Sequence, residues 1–190
     1  MKAIDESKST SPATTQAPVP DPTGERADLL AMLAKSRYFL RHTARDLTDE
    51  QAGLRTTASA LCIGGLIKHV TAVERGWAAF IVEGPASVKD AAGETEEGRA
   101  EREDGFRMLP GDTLAGVLKA YEEAADATDE LVRTLPDLGV TWPLPEAPWT
   151  EPGTEWSLRG VLLHIGTETA QHAGHADILR ETLDGAQSMA

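Results

Sequence analysis

Four long stretches of this chain carry apolar side chains at helical spacing, and no segment alternates apolar and polar residues as a half-buried strand must. That pairing restricts the fold more than any motif does. An amphipathic helix buries its stripe against other helices or against a sheet, and no sheet is expected here. The expected class is therefore all-α, a four-helix bundle over residues 24–190. Residues 1–23 are rich in Ser, Thr, Pro and Ala, with almost nothing to bury, and read as a disordered tail.

The first helix is expected from Glu25 to about Leu47, with Leu29, Leu30, Leu33, Leu40 and Ala44 on its apolar side. Thr48-Asp49-Glu50-Gln51 then has the form of a capping box opening a short helical turn. The second helix is placed from Ser59, as N-cap, to Gly84-Pro85. Leu66, Val70, Val73, Trp77 and Ile81 form its apolar stripe, with His69 on the flank. Residues 86–110, including the acidic run Glu94-Thr95-Glu96-Glu97, read as a long exposed connection. The third helix spans Asp112 to Leu135 and carries Leu114, Leu118, Tyr121, Ala125, Thr128 and Val132. Residues 136–156 hold a cluster of prolines with Trp142, Trp149 and Trp156, which gives a loop with a short extended piece. Thr154 or Ser157 caps the last helix, which runs to about Leu183 and stops at Gly185.

A chain of 190 residues suffices for one domain with a full core. Its formal net charge of -13 disfavours nucleic acid and anionic membranes, since both need clustered Lys and Arg. Cys62 is the single cysteine, so no intrachain disulfide forms, in keeping with a reducing compartment. With no apolar run of signal-peptide or membrane-spanning character, a cytoplasmic location is expected. Oligomeric state is open, a homodimer included.

The last helix holds the chemistry. Turned by about 100° per residue, it brings Val161, His164, Glu168, His172, His175 and Leu179 into one sector. Ionisable groups on an apolar stripe are costly unless they bind something, and a metal ion is the simplest occupant. Glu168 and His172 are four residues apart and can share one ion; the three-residue spacing of His172 and His175 also permits it. His69, on another helix, is the obvious further ligand in a bundle. One carboxylate and two imidazoles leave a fourth position open, the mark of a catalytic site.

These residues also carry a resemblance. Leu162-Leu163-His164 and the run from Glu168 through Glu181, with Leu66-Ile67-Lys68-His69 and the residues up to Trp77, resemble the actinobacterial branch of the DinB-like superfamily. The likeness spans residues 25 to 185 and is most specific in the last helix. It implies a four-helix bundle holding a divalent metal, zinc or nickel, on three side chains of the second and last helices. Relatives that resemble the mycothiol-dependent maleylpyruvate isomerases and mycothiol S-transferases use His with Glu-x-x-x-His. By that motif the ligands here are His69, Glu168 and His172. His175 becomes a neighbour or pocket residue, as does His164. The chain departs from the branch at Gly160, where an aromatic residue is common. The additional C-terminal domain of the isomerases is also missing, which points away from maleylpyruvate isomerisation.

The expected function is thus metal-dependent thiol S-transfer, with mycothiol as the thiol and a small electrophile as its partner. Two alternatives stand beside it: a metal-dependent hydrolase, for which Glu74 is the candidate base, and a metal-stabilised binding module without catalysis. Among the remaining residues, Cys62 is most simply a buried thiol and His42 a solvated position. The three tryptophans of the Pro-rich loop cover the site's mouth or pin the loop to the bundle.

Overall fold

The computed structural model describes residues 22–88 and 95–188. Four long helices, α1 (Glu25–Thr43), α3 (Ile63–Glu83), α5 (Leu114–Thr134) and α6 (Leu158–Asp184), form the bundle. Between them lie the short helices α2 (Asp49–Gly53) and α4 (Glu96–Gly105) and two three-residue strands, β1 (Thr141–Pro143) and β2 (Glu155–Ser157). α6 packs on α1 and on α3, and α5 packs on the same two from the other side. The expected all-α bundle is the observed architecture. Residues 1–21 of the expected tail lie outside the described residues. Among those described, no helix is long and apolar enough to cross a membrane.

Local sequence explains most boundaries. Thr48 and Gln51 make the reciprocal bonds of a capping box at α2. Ser157, the second of the two caps expected, accepts from the Gly160 amide at the head of α6. At the far end Gly185 adopts φ 79°, where a side chain would be strained, and its amide closes on the Glu181 carbonyl. The Pro-rich segment is an antiparallel ribbon in which Trp142 faces Trp156, so the extended piece expected there is present.

Three features differ from expectation, the first being that α1 ends at Thr43, four residues short of Leu47. Helix α3 begins at Ile63 with Cys62 as its N-cap, four residues beyond Ser59. The Ser59 hydroxyl instead accepts from the Leu61 amide in a local turn. The connection expected over residues 86–110 contains α4, opened by Thr95, whose hydroxyl accepts from the Gly98 amide, with Glu96 and Glu97 in its first turn. No residue of α4 is buried, so it has no apolar stripe and periodicity gives no sign of it. Residues 89–94, including Glu94 of the acidic run, lie outside the described residues.

Two apolar clusters fill the bundle. One gathers Leu40, Leu66, Val70, Tyr121, Ala173 and Leu179, and the other Leu33, Phe80, Val132, Leu158, Val161 and Ile165. On α1 and α3, a charged layer separates them in sequence. Arg37 of α1, 3% exposed, pairs with Glu74 of α3, which is wholly buried, and donates to Asp129 of α5 at 2.7 Å. Burial disfavours the Arg37 charge, but the attraction and hydrogen bonds of Glu74 and then Asp129 overcome it and hold the guanidinium protonated. This placement corrects the reading of Glu74 as a candidate base beside His69: its carboxylate is committed to Arg37.

Removing one member of such a buried set leaves an uncompensated charge. Glu74→Ala is expected to cost about 3 kcal/mol or more. The double variant Arg37→Met/Glu74→Leu should recover much of that loss in urea unfolding. Equal losses in the single and double variants would show that the layer is not coupled in this way.

Candidate metal centre

The stripe that sequence placed in the interior sits at its edge. The side of α6 that packs inward carries Leu158, Val161, Leu162, Ile165, Gly166, Thr169, Ala173, Ala176, Leu179 and Arg180, so the ends of the expected stripe, Val161 and Leu179, are buried and its middle is not. The buried positions Gly166, Thr169, Ala173 and Ala176 are small, and α1 forms with α6 the most extensive helix pair of the bundle. Small residues allow that approach but add little apolar signal to the sequence, so the wheel pointed to the wrong centre. His164, Glu168 and His172 are half-buried and His175 is exposed. Arg180 is buried and donates to the carbonyls of Thr43 and Arg45 at 2.8 and 2.6 Å, capping α1. On α3, Leu66, Val70 and Ile81 are buried as expected, whereas Val73 lines a cleft and Trp77 both packs on the second apolar cluster and lines that cleft.

His69 reaches the edge of α6 from α3. One turn before it, Gly65 lies under the Phe106 carbonyl, which a Cβ there would meet at 2.0 Å. The missing side chain lets the segment after α4 close onto α3 and seat the Phe106 ring on His69, with centroids 4.0 Å apart and planes at 21°. The Cys62 thiol, buried as expected, donates to the same Phe106 carbonyl at 3.7 Å.

His172 meets His69 edge to face, with ring centroids 4.8 Å apart. Its Nε2 lies 3.5 Å from Glu168 Oε2, as the four-residue spacing on α6 requires. Ligand atoms of His69, Glu168 and His172 all fall within 4.8 Å of one another. His164 and His175 stand outside this trio, each against one member. His164 Nε2 is 3.9 Å from Glu168 Oε1, and the ring contacts both Trp77 and Trp156, which stack on each other. His175 Nδ1 is 3.4 Å from His172 Nδ1.

The electrostatics favour neutral imidazoles. Burial, then the neighbouring charges of His172 and Arg102, push His69 down to about 4. Burial also lowers His172, against the pull of Glu168 and with help from His175. It lowers His164 too, against Glu168. Neutral rings keep the lone pairs that metal ligation needs. Two nitrogen donors and a carboxylate at this mutual distance are a set a divalent ion could use.

Beside His69 opens a cleft of about 670 Å³, walled by α3, α4 and the loop over residues 144–150. Its size suits a small molecule. A larger depression of about 860 Å³ lies at Arg41, Leu47 and Lys119, away from the trio. The tryptophans divide between the two expected roles. Trp142 pins the ribbon, its Nε1 donating to the Ile81 carbonyl at 3.3 Å. Trp156 packs at His164, and Trp149 lines the cleft. His42 stacks on Tyr38 at the end of α1 and is half-buried rather than fully solvated.

A family model described as Mycothiol-S-transferase matches residues 28–185. The chain belongs to the mycothiol-S-transferase family. The family is DinB-like, and its description makes it one of mycothiol-related transferases, with a small thiol as substrate. The matched span runs from the first turn of α1 to the end of α6 and includes the trio, both flanking histidines and the described lining of the cleft. A comparison with curated proteins returns no match. Sequence reasoning missed α4 because none of its residues is buried, and it passed over Arg37 although that residue falls on the apolar stripe of α1, between Leu33 and Leu40.

The depressed His69 pKa has a direct consequence in the metal-free protein. An unfolded chain takes up the proton near 6.5 and the folded one near 4, so stability is full above about pH 6.5 and falls as pH drops toward 4. Imidazole NMR resonances should show His69 titrating near 4, and His69→Gln should flatten part of the stability loss in that window. Titration of His69 at an ordinary value would contradict the burial described above.

Proposed function

We propose that this chain is a metal-dependent thiol S-transferase that uses mycothiol against a small electrophile. The convergence of His69, Glu168 and His172 beside a cleft carries the reading, in a family of mycothiol-related transferases. The donors suit zinc or nickel. The 3.5 Å between His172 Nε2 and Glu168 Oε2 would let one divalent ion meet both, with His69 as the further donor. A bound divalent ion supplies Lewis acidity, which lets a coordinating thiol lose its proton near neutral pH.

The surrounding residues have definite tasks in this reading. Phe106 covers one face of His69 and keeps water from it. His175 meets the ring nitrogen of His172 that faces away from Glu168, fixing its tautomer and orientation. His164, held by Trp77 and Trp156, faces the second oxygen of Glu168 and limits its rotation. Glu168 supplies the one negative charge of the trio and so favours a cation between the imidazoles.

The hydrolase alternative loses its candidate base, because Glu74 is bound to Arg37. A purely structural metal would be needed for folding, whereas this bundle has two apolar clusters of its own.

Metal analysis of the protein loaded with zinc and desalted should give one ion per chain, lost in His172→Ala. Equal stoichiometric binding by both proteins would place the ion elsewhere. His175→Ala should weaken zinc by about tenfold, the lower end of the range for an outer partner. Chelation should abolish S-transfer while leaving helicity and the urea midpoint nearly unchanged. Calorimetric titration of the zinc protein with mycothiol should show saturable binding, and its absence would overturn the thiol assignment.

A further inference from the structure

The cleft beside His69 has an uneven lining. Val73, Trp77 and Leu144 give it apolar walls. Trp149, in the loop over residues 144–150, lines it while 69% exposed. An indole left that open has apolar surface to cover, and its ring is a ready stacking platform. The remaining wall comes from α4, which contributes Arg102 and Glu101.

Arg102 is the basic residue of the lining, and it makes no hydrogen bond or ion pair among the described residues. Arg102 and His69 line the same cleft, and the charge of Arg102 is felt at the imidazole. On a chain with a net charge of -13, an unpaired guanidinium beside the reaction centre is a local reversal of the field. Guanidinium pairs with carboxylates through parallel hydrogen bonds. The cleft therefore combines a stacking surface, apolar walls and a single anion-binding group.

We propose that this cleft is the subsite of the electrophile, and that its occupant is an aromatic molecule bearing a carboxylate or similar anionic group. The ring stacks on Trp149 between Val73 and Leu144, and the anion pairs with Arg102. This assignment rests on the reading of the trio as the reaction centre only for the name electrophile. The binding of an aryl anion stands on the cleft itself.

The test uses the full chain without metal or thiol, with 2-naphthoate and its uncharged counterpart 2-naphthalenemethanol as probes in ligand-observed NMR titrations. Both are expected to bind saturably, the naphthoate about fivefold more tightly, as an exposed ion pair allows. Raising the salt concentration should narrow that gap. Arg102→Gln should bring the two affinities together without weakening the neutral probe, and Trp149→Ala should weaken both about fivefold. The proposal is overturned by any of three results: neither probe binds, the preference for naphthoate persists in Arg102→Gln, or Trp149→Ala binds both as wild type does. Zinc content measured on the same variants keeps the two readings apart. A wild-type chain that takes up zinc but binds neither probe counts against the subsite alone, and naphthoate bound by a chain that takes up no zinc counts against the metal reading alone.

Discussion

The buried ion set of Arg37, Glu74 and Asp129 joins three of the four long helices at one level. Apolar contacts tolerate sliding, since Leu against Leu is much the same one turn along. A buried guanidinium that must meet two carboxylates tolerates no such shift, because each unmatched charge costs several kcal/mol in the interior, of order 3–5. Register between α1, α3 and α5 is thereby specified. α6 is registered separately, through Arg180 donating to the end of α1. With α3 and α6 both fixed against α1, His69 arrives opposite Glu168 and His172.

The same level of the bundle carries further polar groups. Tyr121 Oη and Thr169 Oγ1 are buried without a hydrogen-bond partner among the described residues. Burial, then the charge of Glu74, hold the Tyr121 phenol well above its ordinary range, with the Thr169 hydroxyl opposing them. Thr169 follows Glu168 directly, so the inward face of α6 is polar where its outer edge carries the trio. An apolar core at each end and a polar belt between them supply stability from the ends and geometry from the middle.

The trio was legible because its signal is local. Glu168 and His172 are four residues apart on one uninterrupted helix, which forces them together whatever the rest of the chain does. His69 had to come from a second helix; it is the ligand a bundle most simply offers, and the family resemblance points to the same residue. Less visible was the side of α6 that faces inward. The wheel weighs side chains by hydrophobicity, whereas packing also rewards smallness, and Gly166, Ala173 and Ala176 win the interior by admitting α1. Arg37 and Glu74 each fall on an apolar stripe, but Arg37 finds its partners 37 and 92 residues away along the chain, so the sequence does not show that they pair.

By itself the sequence determined the all-α class, the capped ends of most helices and the pairing of Glu168 with His172, because each depends on neighbours within a turn or two. The tertiary structure alone decided that the histidine stripe lies at a rim open to a cleft, that Val73 and one side of Trp77 line it, and that α4 brings Arg102 to its wall. Those outcomes depend on which helix faces approach most closely. That is a competition among distant segments, settled by side-chain volume and by the buried charges that fix the register.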